Sequence, residues 1–313
     1  WWLFGENNPL LRQALAGLAR HIATVETAKH RVLQFLDGSI LPDNMLTAIA
    51  TAEAFHLGIL SSKIHVAWAL AAGGTLEDRP RYNKSRCFDP FPFPECSSER
   101  KNDISLAAED IDAHRKARQA AHPRLTITQM YNVLEKLKAG EPLDADDEHI
   151  KSEGLVLILK ELHEKLDALV HQAYDFPVTL TDEEILGRLV DLNKKRALEE
   201  KVGVVKWLRP EYQIPRFGSD TERARLAAEK AKAREAQLAL IDDDEDEDAT
   251  VKPKFPTGDE LDETASVMRA LAIATDAMTV GQIARTFAQG KQVEKRVALT
   301  ILALARLGHL SST

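Results

Sequence analysis

The chain has 313 residues, 44% of them hydrophobic, and a formal net charge of −8; this length allows about two domains, and the apolar share is enough for real cores. Two cysteines, Cys87 and Cys96, exclude a disulfide scaffold and cannot make a zinc site alone, so they read as free thiols of a reducing cytoplasm. No apolar run approaches the roughly 20 residues of a membrane span, and no signal peptide opens the chain.

The acidity is local. Asp242–Asp248 is an unbroken run of seven acids, whereas residues 1–96 hold nine Lys/Arg and nine Asp/Glu and are neutral. The net charge therefore says little about what the first part of the chain binds. The sequence starts on Trp1-Trp2 without an initiator Met and reads as a fragment or processed product. Trp1, Trp2 and Phe4 read as packing residues rather than base-stacking ones.

Residues 1–96 read as mixed α/β. Arg31–Leu36 and Met45–Thr51 are short strand-like runs, with turn signals at Asp37-Gly38 and Pro42-Asp43-Asn44. Leu57, Leu60, Ile64, Trp68 and Ala71 share a helical face that ends at Gly73-Gly74. Pro90, Pro92 and Pro94 alternate with Phe91 and Phe93; this segment can form neither helix nor central strand and reads as an extended strap with anchoring rings.

Residues 97–217 read as a helical domain packing on the first. Ser98–Ala121 is amphipathic and stops at His122-Pro123, and Thr128–Lys138 stops at Gly140. Leu155, Leu159, Leu162, Leu166, Leu169 and Ala173 form a coiled-coil-like seam. Thr181 with Glu184 is a capping box, followed by Ile185, Leu189 and Leu192 on an inner face. Residues 218–262 read as a charged linker, a solvated helix over 221–240 and disorder over 241–262. Residues 263–313 read as a truncated winged-helix-like unit of three short helices marked by Val267 and Leu271, Ile283 and Phe287, then Val297, Ile301 and Leu304. Thr279 is its N-cap, Gly308 a stop and His309-Leu310 the start of a strand. The fold class is α+β.

Enzymatic readings fail for want of motifs. The chain has no glycine-rich phosphate loop with Lys-Ser/Thr, and Gly38-Ser39 lacks a nucleophile elbow. His21 and His30 are too far apart for one helical turn, and His163 and His171 are assigned to a polar helix face. Asp144, Asp146, Asp147 and Glu148 solvate a helix start rather than bind metal. No catalytic, cofactor-binding or metal residue is assigned.

A DNA reader needs donors for phosphates and side chains that reach base edges. Lys29, His30 and Arg31 offer both kinds at the start of a strand. Ser61, Ser62 and Lys63 lie within a helical segment, away from Leu60, Ile64 and Trp68. Arg79, Arg81, Asn83, Lys84 and Arg86 alternate along an extended stretch. A solvated charged face is the competing reading of each cluster, and His30 and His65 suit structural or phosphate contacts better than metal ligation.

The segments Trp1–Gly5, Leu11–Thr24, Ala28–Val32, Leu41–Asp43, Leu57–Leu70 and Arg81–Pro94 together resemble one family. It is the target-recognition and C-terminal helical region of MmeI-like (type IIL) restriction–modification enzymes and related class I adenine DNA methyltransferases. The resemblance continues through Met130–Leu137, Leu166–Tyr174, Glu183–Asn193 and Trp207–Gln213, covering about residues 1–215. It implies that residues 1–96 recognise double-stranded DNA, and that S-adenosylmethionine chemistry on adenine sits in a methyltransferase domain upstream of Trp1. It further implies a role in restriction–modification or phage defence, other defence-system subunits as partners, and no membrane. Two other readings stay open: a DNA-binding regulator with a winged helix and a helical dimerisation module, and a scaffold docking partners through the Leu155–Ala173 seam.

Overall fold

The computed structural model describes residues 9–76, 79–246, 253–256, 260–273 and 278–306. Trp1, Trp2, Phe4, Gly308 and His309-Leu310 lie outside the described residues. The chain divides into two compact units, Trp1–Ser219 and Asp220–Thr313, and its fold is α+β.

The first unit opens with helix α1 (Pro9–Leu15) and a three-stranded antiparallel sheet of β1 (Arg20–Val25), β2 (Gln34–Asp37) and β3 (Leu46–Ile49), in the order β2-β1-β3. In register, Ile22 faces Phe35 on one side and Ile49 on the other. These three side chains share the core face and are buried. Alternation then puts Ala23, Val25, Gln34, Leu36, Leu46 and Ala48 on the opposite face. β2 and β3 overlap the two expected runs, with β2 starting only at Gln34. The centre of the sheet, β1, falls outside them, on a segment with little residue-type alternation.

Two helices follow, α2 (Ala54–Ser61) and α3 (Lys63–Gly73). The continuous helix expected here is broken at Ser62, whose extended backbone (φ −76°, ψ 158°) makes it the N-cap of α3. Its buried Oγ donates to Ile59 O at 2.7 Å and accepts from His65 N. A small hairpin, β4 (Thr75–Leu76) with β5 (Arg79–Pro80), leads through a π-helical turn over Lys84–Phe88 into the proline strap. The strap has no helix or strand over residues 91–97, as its prolines require. Its rings anchor it: Phe91 meets His65 at 4.4 Å and Phe93 at 5.2 Å, edge-on. Tyr174 Oη donates to Pro92 O at 2.9 Å.

The helices α4 (Ser98–Ala121), α5 (Ile127–Ala139), α6 (Ala145–Gly154), α7 (Val156–Ala173), α8 (Asp182–Lys201) and α9 (Pro210–Phe217) complete the unit. Their starts are written in side chains. Ser97 caps α4, and Thr126 with Gln129, Asp144 with Asp147 and Thr181 with Glu184 form capping boxes. The acidic cluster at 144–148 therefore serves a helix start. One hydrophobic core runs from Ile22 in the sheet to Leu189 in α8, so the sheet and the helices are built on shared packing. Gly58 lets α2 lie against α4; a Cβ there would sit 2.6 Å from Ile104 Cγ2.

Two expectations are corrected by this packing. The seam on α7 does not await a partner: Leu159, Leu166 and Ala173 are buried in the core, α7 packs against α4, and Leu155, the N-cap, is exposed. His163 and His171 are buried rather than on a polar face; His163 Nε2 lies 2.7 Å from Tyr131 Oη, and His171 Nδ1 is 2.7 Å from Asp167 O.

In the second unit, α10 (Asp220–Asp246) carries the charged stretch further than the expected solvated helix. Three helices, α11 (Glu260–Ile273), α12 (Val280–Arg285) and α13 (Glu294–Arg306), enclose a core of Val267, Ile283, Phe287, Val293, Val297 and Leu304. Thr279 caps α12 in a capping box with Gln282, as expected. Phe255, in the stretch expected to be disordered, is 1% exposed and meets the Phe287 ring at 5.0 Å. The Gln289 side chain brackets it, accepting from Phe255 N at 2.8 Å and donating to Phe255 O at 3.0 Å.

Candidate nucleic-acid interface

The outer face of the sheet is the floor of a groove of about 760 Å³. Ala23, Val25, Leu36 and Leu46 make an aliphatic floor on which Gln34 supplies an amide. One wall is the loop Thr27–His30, another the start of α5 at Ile127-Thr128, and Arg79 stands on the rim from β5. None of the fourteen lining residues is acidic, in a chain of net charge −8. A concave surface of aliphatic, amide, hydroxyl and cationic groups can accept the polyanionic backbone and base edges of a nucleic acid.

The floor is held rigid from below. β2 is an edge strand, and its outward backbone groups are taken up by α4. Arg115, 1% exposed, donates Nη2 to Leu33 O at 2.9 Å, and Asp112 Oδ1 accepts from Phe35 N at 3.2 Å. Arg115 also donates to Tyr131 Oη, which reaches His163. Leu33 and Phe35 point into the core, so Gln34 between them must face the groove. Gln34 is half-buried, and its side-chain amide has no hydrogen-bond partner among the described residues.

Of the eleven residues singled out for DNA contact, the groove gathers three: Lys29, His30 and Arg79. Lys29 is exposed but engaged, its Nζ 2.8 Å from Asn132 Oδ1 and 3.4 Å from Glu135. His30 is held by the same pair, Nε2 to Asn132 Oδ1 at 2.8 Å and Nδ1 to Glu135 Oε1 at 3.2 Å. Arg79 is exposed, and its side chain has no hydrogen bond or ion pair among the described residues.

The remaining eight lie apart from the groove. Arg31, next to Lys29 and His30 in sequence, is 8% exposed and serves as a structural clamp. Its guanidinium donates to Thr24 Oγ1 at 3.1 Å, Val25 O at 2.5 Å and Pro80 O at 3.1 Å, tying β1 to β5. It also lies over the Tyr82 ring, and burial pulls its pKa below the usual guanidinium value. Ser61 keeps its hydroxyl buried without a partner, and Ser62 is spent on the cap. Lys63 reaches α8, 3.2 Å from Asp182.

The stretch from Arg79 onward is extended only briefly before the π-helical turn, so its donors do not line up on one side. Arg81 pairs with Glu26 at 2.5 Å, Asn83 donates to Gly73 O, and Lys84 pairs with Asp89 at 2.6 Å; Arg86 is exposed. His65 is structural, its Nε2 3.1 Å from Tyr82 Oη, and burial lowers its pKa to about 3. Cys87 is buried and Cys96 half-buried, both free thiols.

The groove residues missed in sequence are Gln34, Thr27 and Thr128. The one available signal was Gln34 itself, a lone amide inside the run Val32-Leu33-Gln34-Phe35-Leu36. A second depression of about 560 Å³, lined by Glu53, His56, Lys101, Arg209, Glu211 and Tyr212 among others, mixes both signs of charge and is less suited to a polyanion. The described residues include no cluster of His, Cys, Asp and Glu able to hold a metal, and no helix long and apolar enough to cross a membrane.

Comparison with known proteins bears on this surface. Residues 18–95 match the family described as MmeI, target recognition domain. The chain is 33% identical over 149 residues to DNA methyltransferase A of Bacillus subtilis (strain 168), an alignment covering 48% of this chain and 14% of that protein. It is also similar to the type IIL restriction–modification enzyme MmeI solved in complex with DNA, at a TM-score of 0.44 and 24% identity, over 56% of this chain and 21% of that one. The chain thus spans a small part of the length of the proteins it matches.

Proposed function

We infer that this chain, whose residues 18–95 match the MmeI target recognition domain, is the DNA-sequence-recognition portion of a site-specific adenine DNA methyltransferase. The match carries the inference because it runs from the start of β1 through the hairpin to the strap, and so contains the sheet, Arg79 and most of the groove lining. The acid-free lining supports it independently.

In this reading the sheet domain holds the duplex in register, while an upstream domain extrudes and methylates the adenine. S-adenosylmethionine is assigned to that upstream domain. The groove has no carboxylate to hold ribose hydroxyls and no glycine among its lining residues, so it does not fit the cofactor. No methyl-transfer step is assigned to residues of this chain. The reading extends to restriction–modification or phage defence as the context, and to the cytoplasm as the compartment.

A domain exchange tests it. Residues 18–95 placed in a relative with an intact catalytic domain are expected to redirect methylation to a new set of adenines, mapped by methylation-sensitive sequencing. Retention of the host enzyme's original sites by an active hybrid would refute the reading. The 313-residue chain alone is expected to transfer no label from radiolabelled S-adenosylmethionine to DNA.

A further inference from the structure

We propose that Gln34 is a specificity-determining residue that reads an A·T base pair through the major groove, while Arg79 holds the neighbouring phosphate. The proposal rests on the target-recognition reading and assigns residues within it. Four observations converge on Gln34. Its amide is the polar group on an otherwise aliphatic floor of Ala23, Val25, Leu36 and Leu46. It is half-buried and its side chain has no partner among the described residues, so its donor and acceptor are open to a ligand. Its backbone is pinned on both sides, through Leu33 O to Arg115 and Phe35 N to Asp112, so the amide is presented on a rigid support. None of the described residues that line the groove is acidic, and the neighbouring Glu135 is paired with Lys29 and His30.

The chemistry selects the base pair. A glutamine amide offers one donor and one acceptor side by side, which matches adenine N7 and the N6 amine. The partner thymine adds a methyl group, for which aliphatic side chains are the complement. Guanine presents two acceptors to the major groove and suits an arginine fork better. The nearby cations divide by availability. Lys29 and His30 are engaged by Asn132 and Glu135, whereas the exposed Arg79 side chain has no hydrogen bond or ion pair among the described residues and is the cation ready for phosphate.

Selection from a duplex library with a randomised core, using the full 313-residue chain, tests this. The wild type is expected to enrich a site with A·T at one fixed position. Gln34→Leu should lose discrimination there by roughly 5- to 150-fold and leave the other positions unchanged. Gln34→Glu should move the preference at that position toward C·G, because a carboxylate accepts from the cytosine amine. Arg79→Ala should weaken all sequences alike and lower the slope of log K against log salt by about 0.9. Matching unfolding midpoints would show that the variants are folded. If the wild type selects a site and both Gln34 variants select the same one, the assignment is overturned while the target-recognition reading stands. If Gln34→Leu weakens every sequence equally, Gln34 contacts the backbone and the assignment likewise falls. A wild-type chain that enriches no sequence would overturn the target-recognition reading itself, and this assignment with it.

Discussion

Acidification from pH 7.5 to 5.5 should destabilise the first unit by about 4 kcal/mol, through three buried histidines. Burial lowers the pKa of His56 to about 4 and those of His65 and His163 to about 3. Lys101 beside His56, Arg31 beside His65 and Arg115 beside His163 push in the same direction. The neutral rings are used: His56 Nδ1 lies 2.9 Å from Thr51 Oγ1, and His163 Nε2 2.7 Å from Tyr131 Oη. In the unfolded chain each histidine titrates near 6.5. Between that value and the folded pKa the unfolded state binds more protons, so stability rises with pH and is lost as pH falls. From pH 7.5 to 5.5 each site changes the unfolding free energy by about 1.4 kcal/mol, and three sites by about 4.

The window isolates the histidines. Glu184, held low by its hydrogen bonds from Thr181, and Glu95, held low first by Lys206, lose their contribution only at lower pH. Asp167, raised by burial, acts in the opposite sense. Urea unfolding of the full chain followed by tryptophan fluorescence measures the difference, and His163→Gln should reduce it by about 1.4 kcal/mol. Equal or greater stability at pH 5.5 would refute the reasoning.

Three further outcomes follow from the packing. Arg31→Met should cost about 3 kcal/mol, because Val25 O and Pro80 O lose a charged donor inside the fold; an unchanged urea midpoint would mean that the clamp is dispensable. Gly58→Ala should cost about 1–3 kcal/mol by forcing α2 away from Ile104, read as a lowered melting temperature, and a neutral effect would contradict the close approach of α2 and α4. Lys84→Ala removes an exposed pair with Asp89 and should change stability by less than about 1 kcal/mol. It should also leave base selection untouched, since Lys84 is outside the groove lining; a shifted motif would show that the interface extends to the π-helical turn.

Local chemistry was enough to place much of this molecule from sequence. Ser98–Ala121 was legible because its pattern is amphipathic and Pro123 supplies a stop at its end. Thr181 with Glu184, and Thr279 as an N-cap, mark helix starts because a helix needs side chains for its orphan amides. The proline strap was legible because alternating prolines forbid both regular structures. Tertiary structure decided which polar groups stay free. Lys29, His30 and Arg31 are neighbours of similar chemistry, yet Arg31 lies inside the protein, because bonds to Thr24, Val25 and Pro80 exist only once β1 and β5 meet. His163 is buried because Tyr131, thirty-two residues away, supplies its partner. Gln34 faces the groove because Arg115 and Asp112, on a helix some eighty residues downstream, fix the register of its strand. A side chain's type and local period lie in the chain itself; whether it meets solvent, a ligand or a buried partner depends on contacts between segments distant in sequence.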